Sequence, residues 1–453
     1  MTLFVSAAKN YVVLVNSKRP EEEQFFSSLV KLASLCFQSD VSADAGRLNL
    51  VIALSGGLDS VVLLTMASRW QQLAGGHVRA VYIDHQLQSQ SGEWGEHCAS
   101  LCKPLNVPFS VQKVSVDLQS GLSPEASARD ARYLAFEHLI ETDELLCTAH
   151  HADDQAETLL LQLFRGAGVQ GLGGMPEYRR LGRGYLVRPL LSLSRDTLAR
   201  YADDNQLLWR EDPSNTDTRY DRNFVRHELI PVIASRWPGV SGSLTRTASH
   251  CRDAVSVVND QAAFDLYGTG SETSSVLALE QLRSLSVVRC KNALRYWINN
   301  NGFLAPSQAQ LEQILRDLID ADNESHGRIS FGEAQIARYR HHLFIGTKGE
   351  FDPASDFEYQ WHNINEPLRI HEAGWTLDSA SRPRLQRYAG QLLTVRNRRG
   401  GEKWQTARHR VSVKNLLQER HVPPWQRSRL ALVFCGDESV SYTHLTLPTN
   451  REV

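Results

Sequence analysis

The sequence predicts an α/β protein with a parallel sheet in its N-terminal half, a mainly helical middle domain and a small α+β C-terminal domain. Short apolar runs alternate with longer amphipathic stretches up to about residue 230, as expected for strand, helix, strand units. From about residue 240 to 321 the pattern is helical. Beyond that point short alternating runs return, and the segment from Arg382 to Arg429 carries a net charge of +11 although the whole chain carries −2.

The composition restricts the class of protein. A chain of 453 residues suggests two to four domains, since domains usually contain about 100–200 residues. Its apolar runs are all shorter than the roughly 20 residues of a membrane span, so we expect no membrane partner. Lys9 and Asn10 interrupt the first apolar stretch, which does not resemble a secretory signal. The seven cysteines form no CxxC pair, and reduced thiols in a cytoplasmic protein are the simple interpretation.

Four segments of the N-terminal half are predicted strands. They are residues 49–54, 77–84, 106–114 and 144–150, and a helix is expected from Asp59 to about Trp70. The first is a continuous apolar run, typical of a strand buried on both faces of a parallel sheet. Between residues 329 and 346 two alternating runs predict a hairpin.

The first strand is followed by the sequence SGGLDS, residues 55–60. Glycines after a buried strand allow a sharp turn, and the next helix presents its positive end there, which together favour an anion site. The lysine of a Walker phosphate loop and the glycines of a dinucleotide fingerprint are both missing. Ser55 and Ser60 could donate hydroxyl hydrogen bonds, whereas Asp59 would approach phosphate only through a cation such as Mg²⁺. The alternative is an ordinary turn with a serine or aspartate helix cap.

The fourth strand ends at two histidines, and the next helix begins with Asp153, Asp154 and Glu157. Asp154 and Glu157 also fit a capping box, which would be a purely structural role. However, ligands of open α/β sheets bind at the carboxyl ends of the strands, where both this segment and residues 55–60 lie. The acids could therefore hold Mg²⁺ or an ammonium group.

Two further segments are rich in specific polar residues. In residues 121–133, Arg129 and Arg132 share a helix face, where they could contact a carboxylate or phosphate or be a solvated pair. In residues 187–231, Arg222, Asn223 and Arg226 follow an irregular loop and could contact nucleic acid phosphates.

These motifs resemble those of a known family. SGGLDS resembles the pyrophosphate loop of the ATP pyrophosphatase (PP-loop) family, which has a Rossmann-like sheet. The set as a whole resembles the tRNA(Ile)-lysidine synthetase family in its long bacterial form, which carries two extra C-terminal domains. The motifs that carry the resemblance are SGGLDS, AVYIDHQL, EASARDARY, HHADDQAET, RGAGVQGLGGM, RPLL and DPSNTDTRYDRNFVRHELIP.

The resemblance implies a domain organisation. We expect an N-terminal extension over residues 1–47, a PP-loop catalytic domain over 48–232 and a mainly helical substrate-binding domain over 240–348. A basic, shortened tRNA-binding domain would cover 375–440. Residues 441–453 differ in character from the rest and are interpreted as a non-native tail.

The resemblance also implies the reaction and its participants. ATP would adenylate O2 of the wobble cytidine in the CAU-anticodon tRNA(Ile), and free L-lysine would then displace AMP at C2, with Mg²⁺ assisting. A homodimer is left open. The implied ATP-binding residues are Ser55, Gly56, Gly57, Leu58, Asp59 and Ser60, with Asp59 also the metal ligand. The implied lysine-binding residues are Arg129, Arg132, Asp153, Asp154 and Glu157, and the implied catalytic residues are Asp59, Asp153 and Asp154.

The basic C-terminal segment is the expected distant tRNA contact. Its candidate residues are Arg398, Arg399, Lys403 and Lys414, in addition to Arg222, Asn223 and Arg226. The alternative is a solvated basic face. Three other functions remain open on the residues alone: a thiolating tRNA enzyme, for which the Cys98-x3-Cys102 pair is a poor match, an amide-forming small-molecule ligase, and a non-catalytic tRNA-binding protein.

Overall fold

The computed structural model of the chain describes residues 19–38, 41, 48–86, 91–117, 124–268, 274–322, 327–353, 355–371, 375–377, 383–405, 410–436 and 438–442. The predicted tail over 441–453 lies almost wholly outside the described residues. The chain divides into two compact units, Met1–Ser256 and Val257–Val453, and each is treated by itself. No helix within the described ranges is long and apolar enough to cross a membrane.

The first unit contains a six-stranded sheet. Its strands are β1 Asn49–Ala53, β2 His77–Asp84, β3 Phe109–Lys113, β4 Glu144–Cys147, β5 Tyr178–Leu181 and β6 Gly184–Val187. The order is β3-β2-β1-β4-β6-β5, in which the first five are parallel and β5 pairs antiparallel with β6. The predicted parallel α/β sheet is confirmed, and β1 and β4 are direct neighbours.

Helices cover both faces of this sheet. The helices along this part of the chain are α1 Pro20–Phe37, α2 Leu58–Ala74, α3 Ser91–Cys102, α4 Pro124–Leu139, α5 Ala152–Phe164, α6 Val169–Leu172, α7 Arg195–Asp204, α8 Asp221–Phe224, α9 Ile230–Arg236 and α10 Val240–Tyr267. Of these, α1, α2, α3 and α7 pack on one face of the sheet and α4 on the other. A single π-helical turn, Val225–Leu229, joins α8 to α9. The predicted helix after the first strand is confirmed, and it extends one turn past Trp70.

The core of this unit explains why these segments form strands and helices. Val51 and Ile52 of β1 are fully buried, one on each face of the sheet, as the continuous apolar run requires. Helix α1 packs into the same core through Phe25 and Leu29, both fully buried. Its Glu22 accepts a hydrogen bond from the Tyr201 hydroxyl at 2.6 Å and pairs with Arg69. The segment before residue 48 thus contributes to the core of the sheet domain.

The second unit begins with a helical part that surrounds a small sheet. Helices α11 Leu279–Arg283, α12 Val287–Asn300 and α13 Gln308–Ile314 pack with strands β7 Val276–Ala278, β8 Arg328–Phe331, β9 Ala334–Tyr339 and β10 His342–Thr347. The antiparallel order is β7-β10-β9-β8. The predicted hairpin over residues 329–346 is corrected to three strands, because turns occur at both Gly332 and Arg340, each with positive φ.

The C-terminal part of this unit is α+β, as predicted. Its strands are β11 Glu358–Trp361, β12 Leu368–Ile370, β13 Trp375–Leu377, β14 Leu393–Asn397, β15 Lys403–Gln405, β16 Arg410–Ser412, β17 Ala431–Cys435 and β18 Glu438–Tyr442, with helices α14 Val413–Glu419 and α15 Pro424–Arg427. Trp425 of α15 packs against Phe344 and Phe351. An aromatic cluster therefore joins the two parts of the second unit.

Candidate active site

The loop between β1 and α2 forms one wall of the candidate site. Gly56 has φ +82°, and a Cβ atom there would lie 3.2 Å from both Cys98 Sγ and His97 Cδ2, so only glycine fits. The Ser60 hydroxyl accepts from the Ser55 backbone N–H at 3.2 Å and donates to the Gly57 carbonyl at 2.9 Å. These contacts fix a compact loop whose shape is set by Ser60.

The loop is also held from outside. The backbone N–H of Arg210 donates to the Gly56 carbonyl at 3.0 Å. The segment around Arg210 lies after α7, more than 150 positions further along the chain, and lines the same cavity as the loop. The polar 187–231 stretch is therefore part of the site, as its density of specific side chains suggested.

The segment after β4 forms the opposite wall. His151 is the N-cap of α5: its Nδ1 accepts from the Asp154 N–H at 3.4 Å, and Asp154 Oδ2 accepts from the His151 N–H at 3.0 Å. The predicted capping box between Asp154 and Glu157 is corrected, because this reciprocal pair begins three residues earlier. Glu157 takes no part in the capping box, and its side chain is buried, with 1% of its surface exposed.

Two arginines bind the two acids of α5. Arg222 Nε lies 2.7 Å from Glu157 Oε2, and its Nη2 lies 2.8 Å from Asp154 Oδ1. Arg226 makes the equivalent pair, with Nε 2.6 Å from Glu157 Oε1 and Nη2 3.0 Å from Asp154 Oδ1. The spacing of four residues on the α8 and π-turn segment aligns both guanidinium groups on one face. The result is a compact network of two carboxylates and two guanidinium groups.

Electrostatics keep Asp154 ionised. Burial opposes the charged form, but the nearby His151 and Arg222 outweigh it and lower the pKa of Asp154 to about 2. Burial likewise opposes the charge of Arg222, yet the two carboxylates raise its pKa. Asp154 and the two arginines therefore carry their charge at neutral pH.

His151 connects the two walls. Its Nε2 lies 3.3 Å from Asp154 Oδ2 and 3.7 Å from Asp59 Oδ2, and its side chain is 1% exposed. Burial alone would lower its pKa, but the hydrogen bond to Asp59 and the charge of Asp154 raise it. A single buried imidazole thus links the loop aspartate to the acids of α5.

Two adjoining cavities open beside the loop. One, of about 530 Å³, is lined by Asp59, Ser60, Arg129, Asp154 and Arg226 among others. The second, of about 460 Å³, lies over β1 and β2, and its lining includes Tyr82, Trp94, Arg132, Phe136 and Asp212. Ser55 and Gly57 line both cavities, so the loop stands between two binding spaces.

The structure separates the two aspartates that the sequence grouped. Asp153 Oδ2 accepts from the Arg195 N–H at 2.8 Å, at the start of α7, and Asp153 does not line either cavity. Asp154 lines the larger of the two adjoining cavities described above. The predicted residues Ser55, Gly57, Leu58, Asp59, Ser60, Arg129, Arg132 and Arg226 also line it.

The predicted tRNA contacts fall in different places. Arg222 and Arg226 lie in the acid network, and Asn223 donates to the Asp217 carbonyl at 3.0 Å. In the second unit, Arg398 and Arg399 flank a loop closed by Glu402, which accepts from the backbone N–H groups of Arg399 and Gly400. Lys403 and Lys414 are exposed in the same unit.

Sequence reasoning missed several residues of the site. His151, Tyr133, Trp209 and Arg210 all contact or line it. His151 could have been found from its position directly before the acids, since the N-cap of a helix at a sheet edge faces the ligand side. Trp209 and Arg210 lie in the 187–231 segment that the sequence singled out, but their local pattern does not distinguish them from its other residues.

The fold and this site define a PP-loop protein. A loop of glycines and serines follows strand β1 of a parallel sheet, and carboxylates follow the neighbouring strand β4. The sequence model of the PP-loop domain matches residues 31–233. The TilS substrate binding domain matches residues 277–344 and the TilS substrate C-terminal domain matches 393–443.

Whole-chain relatives make the assignment more specific. The tRNA(Ile)-lysidine synthase of Coxiella burnetii is 38% identical over 87% of this chain and 88% of its own length. Those of Methylococcus capsulatus and Alkalilimnicola ehrlichii are 37% and 39% identical, over 86% and 87% of this chain and 90% and 89% of theirs. The chain belongs to the tRNA(Ile)-lysidine synthase family.

Proposed function

We propose that the protein ligates free L-lysine to C2 of the wobble cytidine of the CAU-anticodon tRNA(Ile). ATP adenylates the cytidine O2 and releases pyrophosphate, and the lysine ε-amine then displaces AMP to give lysidine. The modified tRNA reads AUA as isoleucine. The observation that carries this proposal is the loop at residues 55–60, which stands between two cavities and faces a buried carboxylate pair.

The two cavities suit the two halves of the reaction. We assign the 460 Å³ cavity, with Trp94 and Phe136 in its lining, to adenosine, because aromatic faces stack on a base. The loop between the cavities would bind the phosphates through backbone N–H groups and the hydroxyls of Ser55 and Ser60. The 530 Å³ cavity would receive the cytidine and the amino acid.

Asp59 suits Mg²⁺. Its Oδ1 atom is buried and lacks a hydrogen-bond partner among the described residues. Mg²⁺ takes one or two carboxylates and completes its shell with phosphates and water, so one aspartate beside bound phosphates suits it. When bound beside Asp59 the ion would neutralise charge on the phosphates.

The acid network suits the amine end of lysine. Asp154 lines the 530 Å³ cavity and can accept a hydrogen bond from an ammonium group, and Arg129 on the same cavity can bind its carboxylate. Glu157 does not line the cavity but binds the same two arginines as Asp154. Arg222 and Arg226 already bind both acids, so the entering ammonium group must share them or displace a guanidinium group. With a pKa of about 2, Asp154 is a weak proton acceptor, so its role is binding rather than general base catalysis.

The second unit would bind the tRNA body. Its basic surface, including Arg398, Arg399, Lys403 and Lys414, matches the phosphate backbone. We also propose that the enzyme acts in the cytoplasm, where tRNA, ATP and free lysine are present, and a homodimer remains part of the proposal to be tested by light scattering.

The chemistry of the cysteines argues against a thiolating enzyme. Burial raises the pKa of Cys98 to about 12 and that of Cys102 to about 11, so both thiols stay protonated and unreactive. Sulfur transfer needs an accessible thiolate.

One assay tests the proposal. The protein is incubated with tRNA(Ile), ATP and isotopically labelled lysine, and the anticodon loop is examined by mass spectrometry. The expected result is a labelled lysine residue on the wobble cytidine and pyrophosphate release that needs the tRNA. Sulfur incorporation, or tRNA binding without pyrophosphate release, would contradict it.

A further inference from the structure

Tyr133 on α4 lies at the centre of a group of arginines beside the active site. The guanidinium of Arg129 lies over its ring, 5.1 Å from the centroid, and that of Arg179 lies 5.0 Å from the same centroid. Cation–π contacts of this kind favour a fixed orientation of the guanidinium group. Arg129 and Tyr133 are four residues apart on one helix face, so their contact is set by the helix itself.

The hydroxyl of Tyr133 adds polar contacts to this stack. Arg129 Nη2 donates to it at 3.5 Å. The charge of the buried Arg188 acts on it as well, and Arg188 is held in place by a hydrogen bond from its Nη1 to the Pro176 carbonyl at 2.6 Å. The positive charges around the ring outweigh its burial and lower the pKa of Tyr133.

The geometry therefore connects Tyr133 to a residue of the candidate active site. Tyr133 contacts Arg129 through both its ring and its hydroxyl, and Arg129 lines the 530 Å³ cavity together with Asp59 and Asp154. A long arginine side chain otherwise loses rotamer freedom when it binds a ligand. Prior orientation removes much of that cost.

We propose that Tyr133 is a positioning residue that holds the Arg129 guanidinium ready to bind the carboxylate of the free amino acid. This inference rests on the proposed function, in which Arg129 contacts that carboxylate. Tyr133 acts through Arg129 and has no contact with the reacting atoms. It sets the affinity for lysine and leaves the adenylation step unaffected.

The test compares two amines with the wild-type enzyme and with Tyr133→Phe. Lysine and cadaverine carry the same reactive amine, but cadaverine has no carboxylate. The wild type should prefer lysine by about tenfold or more in kcat/KM, since a charge-assisted hydrogen bond is worth about 1.5–3 kcal/mol. Tyr133→Phe keeps the ring and removes the hydroxyl, so KM for lysine should rise about three- to tenfold. Its kcat, its KM for ATP and its activity with cadaverine should not change.

Each other result has a defined meaning. If the wild type uses cadaverine as well as lysine, the carboxylate is not recognised, and both the role of Arg129 and this inference are wrong. If the wild type prefers lysine but Tyr133→Phe leaves KM for lysine unchanged, only this inference is wrong. If the variant loses activity equally with both amines, Tyr133 is structural and the inference is again wrong.

Two more variants serve as a control and as an independent test of the same contact. Tyr178→Phe alters an exposed tyrosine on the neighbouring β5 strand and should behave as wild type. Arg179 is exposed, so Arg179→Gln should fold even if Tyr133→Phe does not, and it removes one side of the stack. We expect it to raise KM for lysine about two- to threefold with cadaverine unaffected. An unchanged KM in Arg179→Gln would count against the inference.

Discussion

The Nε2 atom of His151 lies 3.3 Å from Oδ2 of Asp154. The same nitrogen lies 3.7 Å from the loop residue Asp59, so one buried side chain contacts both walls of the active site. Because β1 and β4 are neighbours in a parallel sheet, their carboxyl ends place these walls side by side. Under the proposed function, phosphate release and amine binding would therefore take place within one side chain of each other.

The shape of the phosphate loop depends on the Ser60 hydroxyl, which bridges the Ser55 N–H and the Gly57 carbonyl. Ser60→Ala should therefore misplace the loop and reduce kcat/KM for ATP by about 10²-fold, the cost of losing one oriented hydrogen-bond donor. The measurement is pyrophosphate release in the presence of tRNA and lysine. Ser235→Ala, at an exposed helical serine, is the matched control and should show wild-type rates. Equal rates in the two variants would remove Ser60 from the site.

Asp154 and Asp153 form a matched pair for testing the amine site. Asp154→Asn leaves Arg222 and Arg226 with one carboxylate, so a net positive charge would repel the lysine ammonium group, and kcat/KM for lysine should fall at least about 10²-fold. Asp153→Asn keeps an oxygen that can accept from the Arg195 N–H and should lose less than about threefold. Steady-state rates at varied lysine decide between them. Normal lysine incorporation by Asp154→Asn would exclude the acids from the amine site.

Glu157 is a stability determinant as well as a site residue. Glu157→Gln leaves two guanidinium groups around Asp154 in a nearly closed space and should destabilise the first unit by about 3 kcal/mol. Thermal unfolding followed by circular dichroism would show the loss as a lower Tm. Glu312→Gln removes an exposed ion pair with Lys291 and should leave Tm unchanged. A Glu157→Gln variant as stable as the control would mean that the network adds no net stability.

Asp154 should also shape the pH dependence of stability. Its folded pKa of about 2 lies below the unfolded value of about 3.9, so its stabilising effect is complete above about pH 4 and is lost as the pH falls towards 2. Because the Asp154 charge also raises the pKa of His151, the stability difference between the wild type and Asp154→Asn should not fall between pH 8 and about pH 5, and it should shrink below about pH 4. Urea unfolding at several pH values gives this difference. A difference that already falls between pH 8 and pH 6 would show that the pKa of Asp154 is raised instead.

The sequence predicted the parts of the site that depend on local pattern. The buried strand before Ser55 and the acids after β4 follow from apolar runs and the sheet edge rule, and both were placed correctly. The pairing of Arg222 with Glu157 spans 65 positions and was not predicted, because an irregular loop with no periodicity delivers the arginine. The packing of α1 on the sheet domain was not predicted for the same reason: its Glu22 accepts a hydrogen bond from Tyr201, 179 positions further along the chain.

The proposed tRNA contact in the second unit gives the last prediction. Lys414 is exposed on the +11 segment of the second unit, whereas Lys103 is exposed on the first unit outside that segment. If Lys414 pairs with a phosphate, Lys414→Gln should weaken tRNA binding and lower the slope of log K against log salt by about one. Lys103→Gln should change neither quantity. Filter binding of tRNA between about 50 and 200 mM salt measures both. An identical slope in the two variants would mean that Lys414 lies on a solvated face, and the contact would then have to be sought among Arg398, Arg399 and Lys403.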